Sequence, residues 1–288
     1  GKENNNGLFK YEPATKKSSL LFATGKKQKV FLPYTHKDSD NLTFFAKMDT
    51  TKAGKDDASL FLMKKESNKP ILAADSKMNG MPEGYTLSRE AVGITNKKGD
   101  RIYYSIVKRY KPQESTLVDF ETAVLDLWSY NDRYNQPAQL LRVERDKKRG
   151  LLCTSTTTLD NVDNPKALNL VRIETEEMPS VIIPNLEEAN WGYGVTDYNY
   201  QLESQWDANP HTDLYIVDIA TGEAKSLLKD VYLRSVSASP KGKYLIWFNA
   251  QEAQWYSYEA ANGAIRNISS ATGDDFKTYM QDTPEMPY

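Results

Sequence analysis

Apolar and polar positions alternate along most of this chain in short runs, each closed by Gly, Asn, Asp or Pro. The clearest stretch is 213–269, which reads DLYIVDIATGEAKSLL, then VSASPKGKYLIWF, then QWYSYEAANGAIRNIS. Period-two runs closed by turns at 220–223, 239–242 and 261–263 predict antiparallel hairpins. Helical periodicity is scarce, and the one short helical candidate is 185–190, NLEEAN.

The strand pattern recurs. The runs at 60–63 (LFLM), 125–128 (LDLW), 168–171 (LNLV), 214–217 (LYIV) and 255–258 (WYSY) align as one landmark. A second landmark is a turn glycine just before a strand: Gly99, Gly150 and Gly242. A period of roughly 40–50 residues with about four strands per unit is the signature of a β-propeller, because a single four-stranded blade cannot hide both of its faces. The fold class is therefore all-β, a propeller of four-stranded blades. About five blades are expected at 29–75, 85–141, 142–184, 185–229 and 233–270, as a whole ring or part of a seven- or eight-bladed one. Residues 1–28 form an N-terminal extension or a first incomplete blade, and 271–288 a connector. One spacing is longer than the rest. The charged, Pro-containing segment 108–123 accounts for it as an excursion from one blade. Strands are expected on either side of it, at 101–107 and 124–130.

Composition supports this picture. The chain has 288 residues, enough for one large β domain, and its 18 Tyr suit half-buried strands. The formal net charge of −2 supplies no basic field for nucleic acid. The basic clusters at 26–29 and 142–149 read as solvated turns. Cys153 is the only cysteine, so no disulfide within the chain is available. It lies in the apolar run 151–154 and reads as a core residue. No signal peptide and no apolar run of membrane-spanning length is present in the sequence. The chain opens on Gly1 and ends in a Pro-rich stretch, which reads as an excised piece of a longer protein.

The sequence offers no candidate catalytic, cofactor-binding or metal-binding residues. No G-x-S-x-G occurs, and the only histidines are His36 and His211, the latter in a turn signature. Gly192-Tyr193-Gly194 is an isolated G-x-G, better read as small residues where another backbone comes close. Adjacent carboxylates occur at Glu176-Glu177, Glu187-Glu188 and Asp274-Asp275. They leave a propeller glycosidase open as a minor alternative, since carboxyl separation in space decides that chemistry. Trp191, Trp206 and Trp255 read first as core residues. Exposed, they could stack on sugars or peptides, and Trp206 is the least committed to packing.

Several runs resemble a known family. Gln205-Trp206-Asp207, the strand 213–219 with its turn to Gly222, and 237–245 (SASPKGKYL) resemble the propeller of the prolyl oligopeptidase/dipeptidyl peptidase serine peptidases. Residues 125–132 (LDLWSYND) resemble their recurring vDVW-x-y-x-D strand, and 276–288 resembles a connector to a further blade. The resemblance covers roughly 85–288, although S-P-x-G-K also marks TolB-type propellers. It implies a non-catalytic propeller that gates or shapes peptide access to an α/β-hydrolase domain of the same parent protein, in the periplasm or outside the cell. No cofactor is implied. The alternative is a stand-alone TolB-like binding or scaffold propeller.

Overall fold

The computed structural model describes residues 6–25, 29–47, 57–65, 69–110, 129–157, 169–188, 190–203, 206–207, 210–273 and 276. The chain divides into two compact units, Gly1–Leu125 with Leu140–Ile173, and Asp126–Gln139 with Glu174–Tyr288.

The first unit opens with a hairpin, β1 (Asn6–Glu12) and β2 (Lys17–Thr24). A four-stranded antiparallel meander follows: β3 (Lys29–Thr35), β4 (Leu42–Lys47), β5 (Ser59–Met63) and β6 (Pro70–Ala74), adjacent in space in chain order. Both faces of this sheet are covered, which is why β4 reads as a nearly unbroken apolar run. On one face Phe45, Leu60 and Leu62 join a core with Ile102, Tyr104, Ile106 and Cys153 of the next sheet. On the other, Phe44, Ala46 and Met63 pack with Leu8 and Phe22 of the hairpin.

The next sheet contains β7 (Tyr85–Leu87), β8 (Ile94–Thr95), β9 (Arg101–Lys108), β10 (Leu151–Thr156) and β11 (Val171–Arg172). Its path is β7-β9-β10-β11. β8 lies end to end with β7, because both pair with the edge of β9 that β10 leaves free. Here the expected unit boundaries move. The second and third expected blades (85–141 and 142–184) share this one sheet, since β9 and β10 pair directly from Arg101↔Thr156 to Ile106↔Leu151. Their alternating apolar faces complete each other's ladder, so the excursion runs from the end of β9 to the start of β10. The expected strand at 124–130 falls mainly outside the described residues; Ser129 and Tyr130 are not in a strand.

Within the excursion lies α1 (Gln136–Lys148), where 142–149 reads in the sequence as a basic turn. Asn135 caps it, its side-chain oxygen accepting from the Ala138 N–H at 3.1 Å. Arg145, Lys147 and Lys148 in the last turn complement the helix dipole. None of its residues is buried. The helical candidate 185–190 is instead a turn-rich connection.

The second unit holds two complete meanders. One is β12 (Val181–Ile182), β13 (Trp191–Thr196), β14 (Thr212–Asp218) and β15 (Ala224–Val231). The other is β16 (Leu233–Ala238), β17 (Tyr244–Asn249), β18 (Gln254–Glu259) and β19 (Ala264–Asn267). β12, expected as the last strand of the third blade, pairs with β13 through Val181↔Gly194 and so begins this unit's first sheet. The two sheets share a core of Tyr193, Leu214, Leu245 and Trp247. The predicted turn glycines Gly222, Gly242 and Gly263 have φ of 74°, 63° and 72°, values that a side chain would strain. The chain is thus an all-β propeller-type protein, with four blade-type sheets among the described residues.

Candidate functional site

Successive strands of a meander run in opposite directions. The β13–β14, β15–β16 and β17–β18 connections of the second unit therefore emerge at the same end of its two sheets. They surround a cavity of about 650 Å³. Val195, Pro210, Leu233 and Ala250 make its apolar wall, and Asp197, Asp207, Tyr232, Arg234 and Gln251 its polar rim. Polar residues make up more than half of this lining, so the cleft suits a ligand that offers polar groups as well as apolar surface.

The wall is held by a buried carboxylate. Asp213, at the start of β14, is 1% exposed. Its Oδ1 accepts from the Tyr200 hydroxyl (2.8 Å) and the Asp230 N–H (3.1 Å). Its Oδ2 accepts from Asn199 Nδ2 (3.1 Å) and the Tyr215 hydroxyl (3.3 Å). One side chain thus ties together the 3-10 turn Tyr198–Tyr200, the start of β14 and the end of β15. Burial alone would raise the Asp213 pKa, but the four hydrogen bonds outweigh it and hold the carboxyl below its ordinary value. Conversely, burial and then the Asp213 bond and charge push the Tyr200 phenol up to about 12. The β14–β15 ladder is irregular between Thr212 and Tyr215, and on the facing strand Asp230 takes a φ of +59°, a strained value for a residue with a side chain.

His211 sits beside this hub, just before β14. Glu203 Oε2 accepts from its backbone N–H at 3.0 Å and lies 3.1 Å from its Nδ1. Asp230 is 3.6 Å away and the Tyr232 ring is 3.9 Å from the imidazole, centroid to centroid. Arg133 pairs with Asp197 on the cavity rim. Burial, followed by the Asp207 and Glu203 charges, pushes the Tyr232 phenol up. These groups brace the described parts of the β13–β14 connection, and the arrangement offers a charged and aromatic surface.

His211 is the loop residue its turn signature suggests, and its partners Glu203 and Asp230 come only from the fold. His36 belongs to the first unit, where its Nδ1 accepts from the Asp38 N–H at 3.2 Å. Glu176-Glu177 and Glu187-Glu188 are exposed on connections, and Asp274-Asp275 lies outside the described residues. Among the described residues, no three His, Cys, Asp or Glu form a group able to hold a metal. Gly192 and Gly194 are small because other groups come close: a Cβ on Gly192 would lie 3.0 Å from the Ile182 carbonyl oxygen, and one on Gly194 would collide with Met178. Trp255 packs on Phe248, whereas Trp206 is 73% exposed on the β13–β14 connection. Cys153 is buried, as its apolar run suggests. The Asp213 hub is the feature that sequence reasoning missed. Its only sequence trace is the Tyr and Asn content of DYNY (197–200) ahead of a strand that opens on an acid.

The architecture defines the class as a β-propeller protein. No family model matches the chain, and no curated protein matches it. Among solved structures it is similar to the tricorn protease, with 7% identity and a TM-score of 0.35 over 90% of this chain and 24% of that chain. It is also similar to an acylaminoacyl peptidase of Pyrococcus horikoshii, at 10% identity and a TM-score of 0.38 over 90% of this chain and 34% of that one. For TolB from Acinetobacter baumannii the values are 8% and 0.30, over 91% of this chain and 48% of that one. The chain therefore spans between a quarter and a half of the length of these three. Among the described residues no helix is long and apolar enough to cross a membrane.

Proposed function

We propose that this chain is the non-catalytic propeller of a serine peptidase, and that it contacts the polypeptide on its way to an active site carried elsewhere. The partner is an α/β-hydrolase domain of the same parent protein, and the setting is periplasmic or extracellular. The observation that carries the reading is the cleft of the second unit: about 650 Å³, rimmed by Asp197, Asp207, Tyr232 and Arg234, on connections braced by a buried carboxylate. Rigid walls reduce the ordering cost of binding an extended chain. The family-like runs at 205–222 and 237–245 lie in this same unit.

The test uses the purified chain by itself. It is expected to leave dipeptidyl anilides and unstructured peptides intact by mass spectrometry, while binding such peptides with Kd on the order of 10⁻⁴ M. Asp207→Asn and Arg234→Gln are expected to weaken that binding without changing the circular dichroism spectrum. Cleavage by the isolated chain, or no peptide binding up to millimolar concentration, overturns the proposal. A G-x-S-x-G motif with a later Asp and His in the coding sequence after Tyr288 separates this reading from a stand-alone binding propeller.

A further inference from the structure

The opposite end of the same two sheets carries a second cavity, and it stands independently of the peptide reading. Here the β12–β13, β16–β17 and β18–β19 connections come together around about 480 Å³. Trp191 and Tyr244, the first residues of β13 and β17, supply aromatic surface. Lys241, Lys243, Asn190 and Glu188 supply polar groups. Tyr244 is 44% exposed, so its ring is open to a ligand.

The walls are fixed by bonds that consume the main chain. Ser239 Oγ accepts from the N–H groups of both Lys243 and Tyr244 at 3.0 Å. The Gly242 N–H donates to the Ser239 carbonyl, and the Ala260 N–H to the Lys243 carbonyl. The Gly242 carbonyl in turn accepts from the Trp191 indole at 2.9 Å, while the Trp191 ring meets Tyr258 edge to face. An extended peptide is recognised largely through main-chain hydrogen bonds, and in this cleft the N–H donors of Gly242, Lys243 and Tyr244 are already used. Along 242–244 recognition is left to side chains. They include ammonium and amide donors, carboxylate and amide acceptors, and two aromatic rings. Among the lining side chains the two lysines face two carboxylates, Glu188 and Glu259, with Arg266 3.9 Å from Glu259, so both signs of charge are present and the lining is not built for an anion alone. A ring with an apolar C–H face and a rim of hydroxyls that both donate and accept matches this set. We propose that the Trp191–Tyr244 cleft binds a neutral saccharide, with a hexose ring stacked on aromatic surface and its hydroxyls paired to the surrounding lysine, asparagine and glutamate side chains.

The test titrates the whole chain with cello-, malto-, manno- and galacto-oligosaccharides, followed by calorimetry and tryptophan emission. One series is expected to bind with Kd on the order of 10⁻⁴–10⁻³ M. Tyr244→Ala and Lys243→Gln should each weaken it about tenfold or more, with melting temperatures unchanged. Trp206→Ala, at the other end of the sheets, should leave it intact. The proposal is overturned if no oligosaccharide in the panel binds at tens of millimolar. It is equally overturned if binding ignores Tyr244→Ala, or if peptides or inorganic phosphate, rather than sugars, bind in a Tyr244-dependent way.

Discussion

Replacing Asp213 by alanine would remove the acceptor of four hydrogen bonds from a site that water barely reaches. Hydrogen bonds to charged groups contribute about 1.5–3 kcal/mol each, and they are not additive when they share one carboxylate. The substitution also leaves Asn199 Nδ2 and the Asp230 N–H without their acceptor. Breaking a buried charged network in this way costs about 3–5 kcal/mol, and that is the loss expected for Asp213→Ala. Asp213→Asn keeps the shape and two acceptor positions but sets an amide donor against existing donors, so about 2 kcal/mol is expected. Urea unfolding followed by tryptophan emission is the assay, because Trp191, Trp206, Trp247 and Trp255 lie in the second unit and Trp247 is buried in its core. The midpoint should fall at constant slope. The pH dependence has a defined sign. The folded carboxyl titrates below its unfolded value of about 3.9, so its stabilisation is complete above that value. It is lost as pH falls through the folded pKa, and Asp213→Asn should remove this acid-side loss. A loss below about 1 kcal/mol for Asp213→Ala would refute the idea that this carboxylate holds the cleft wall.

Other substitutions probe other parts of the molecule. Gly80→Ala should destabilise the first unit by about 2 kcal/mol or more, measured by thermal melting, because Gly80 has a φ of +85° and an added Cβ would lie 2.7 Å from the Leu170 carbonyl oxygen. Trp247→Ala, which empties the shared core beside the stacked Tyr256 ring, should cost about 3–5 kcal/mol in urea unfolding. Leu141→Ser on the exposed face of α1 should stay within about 0.5 kcal/mol of the parent protein in urea unfolding followed by circular dichroism.

The part of the fold that the sequence makes legible is local. β14 to β19 follow one another through tight turns, so alternation and the turn glycines at 222, 242 and 263 define them without knowledge of distant partners. The second sheet is different. Its central pair, β9 and β10, is joined by an excursion, and a repeat count that assumes evenly spaced strands splits it into two blades. α1 is hidden for another reason: it buries no residue, so it carries no apolar stripe to betray a helical period. The cleft shows the same limit. Trp206 and His211 stand out as residue types, but Asp213 looks like an ordinary strand start until Tyr200, Asn199 and Asp230 are brought to it.

The excursion between β9 and β10 also bears on how this protein can change. Closing a connection of roughly forty residues instead of a four-residue hairpin costs only about 2 kcal/mol of loop entropy. The six register pairs of the ladder tolerate that cost. Length at this point is therefore nearly neutral for stability, and new segments can be acquired or exchanged here without rebuilding the blade. The burden falls on kinetics instead. A ladder whose strands are so far apart along the chain must wait for a long-range encounter, so this blade should be the last of the four to zip up.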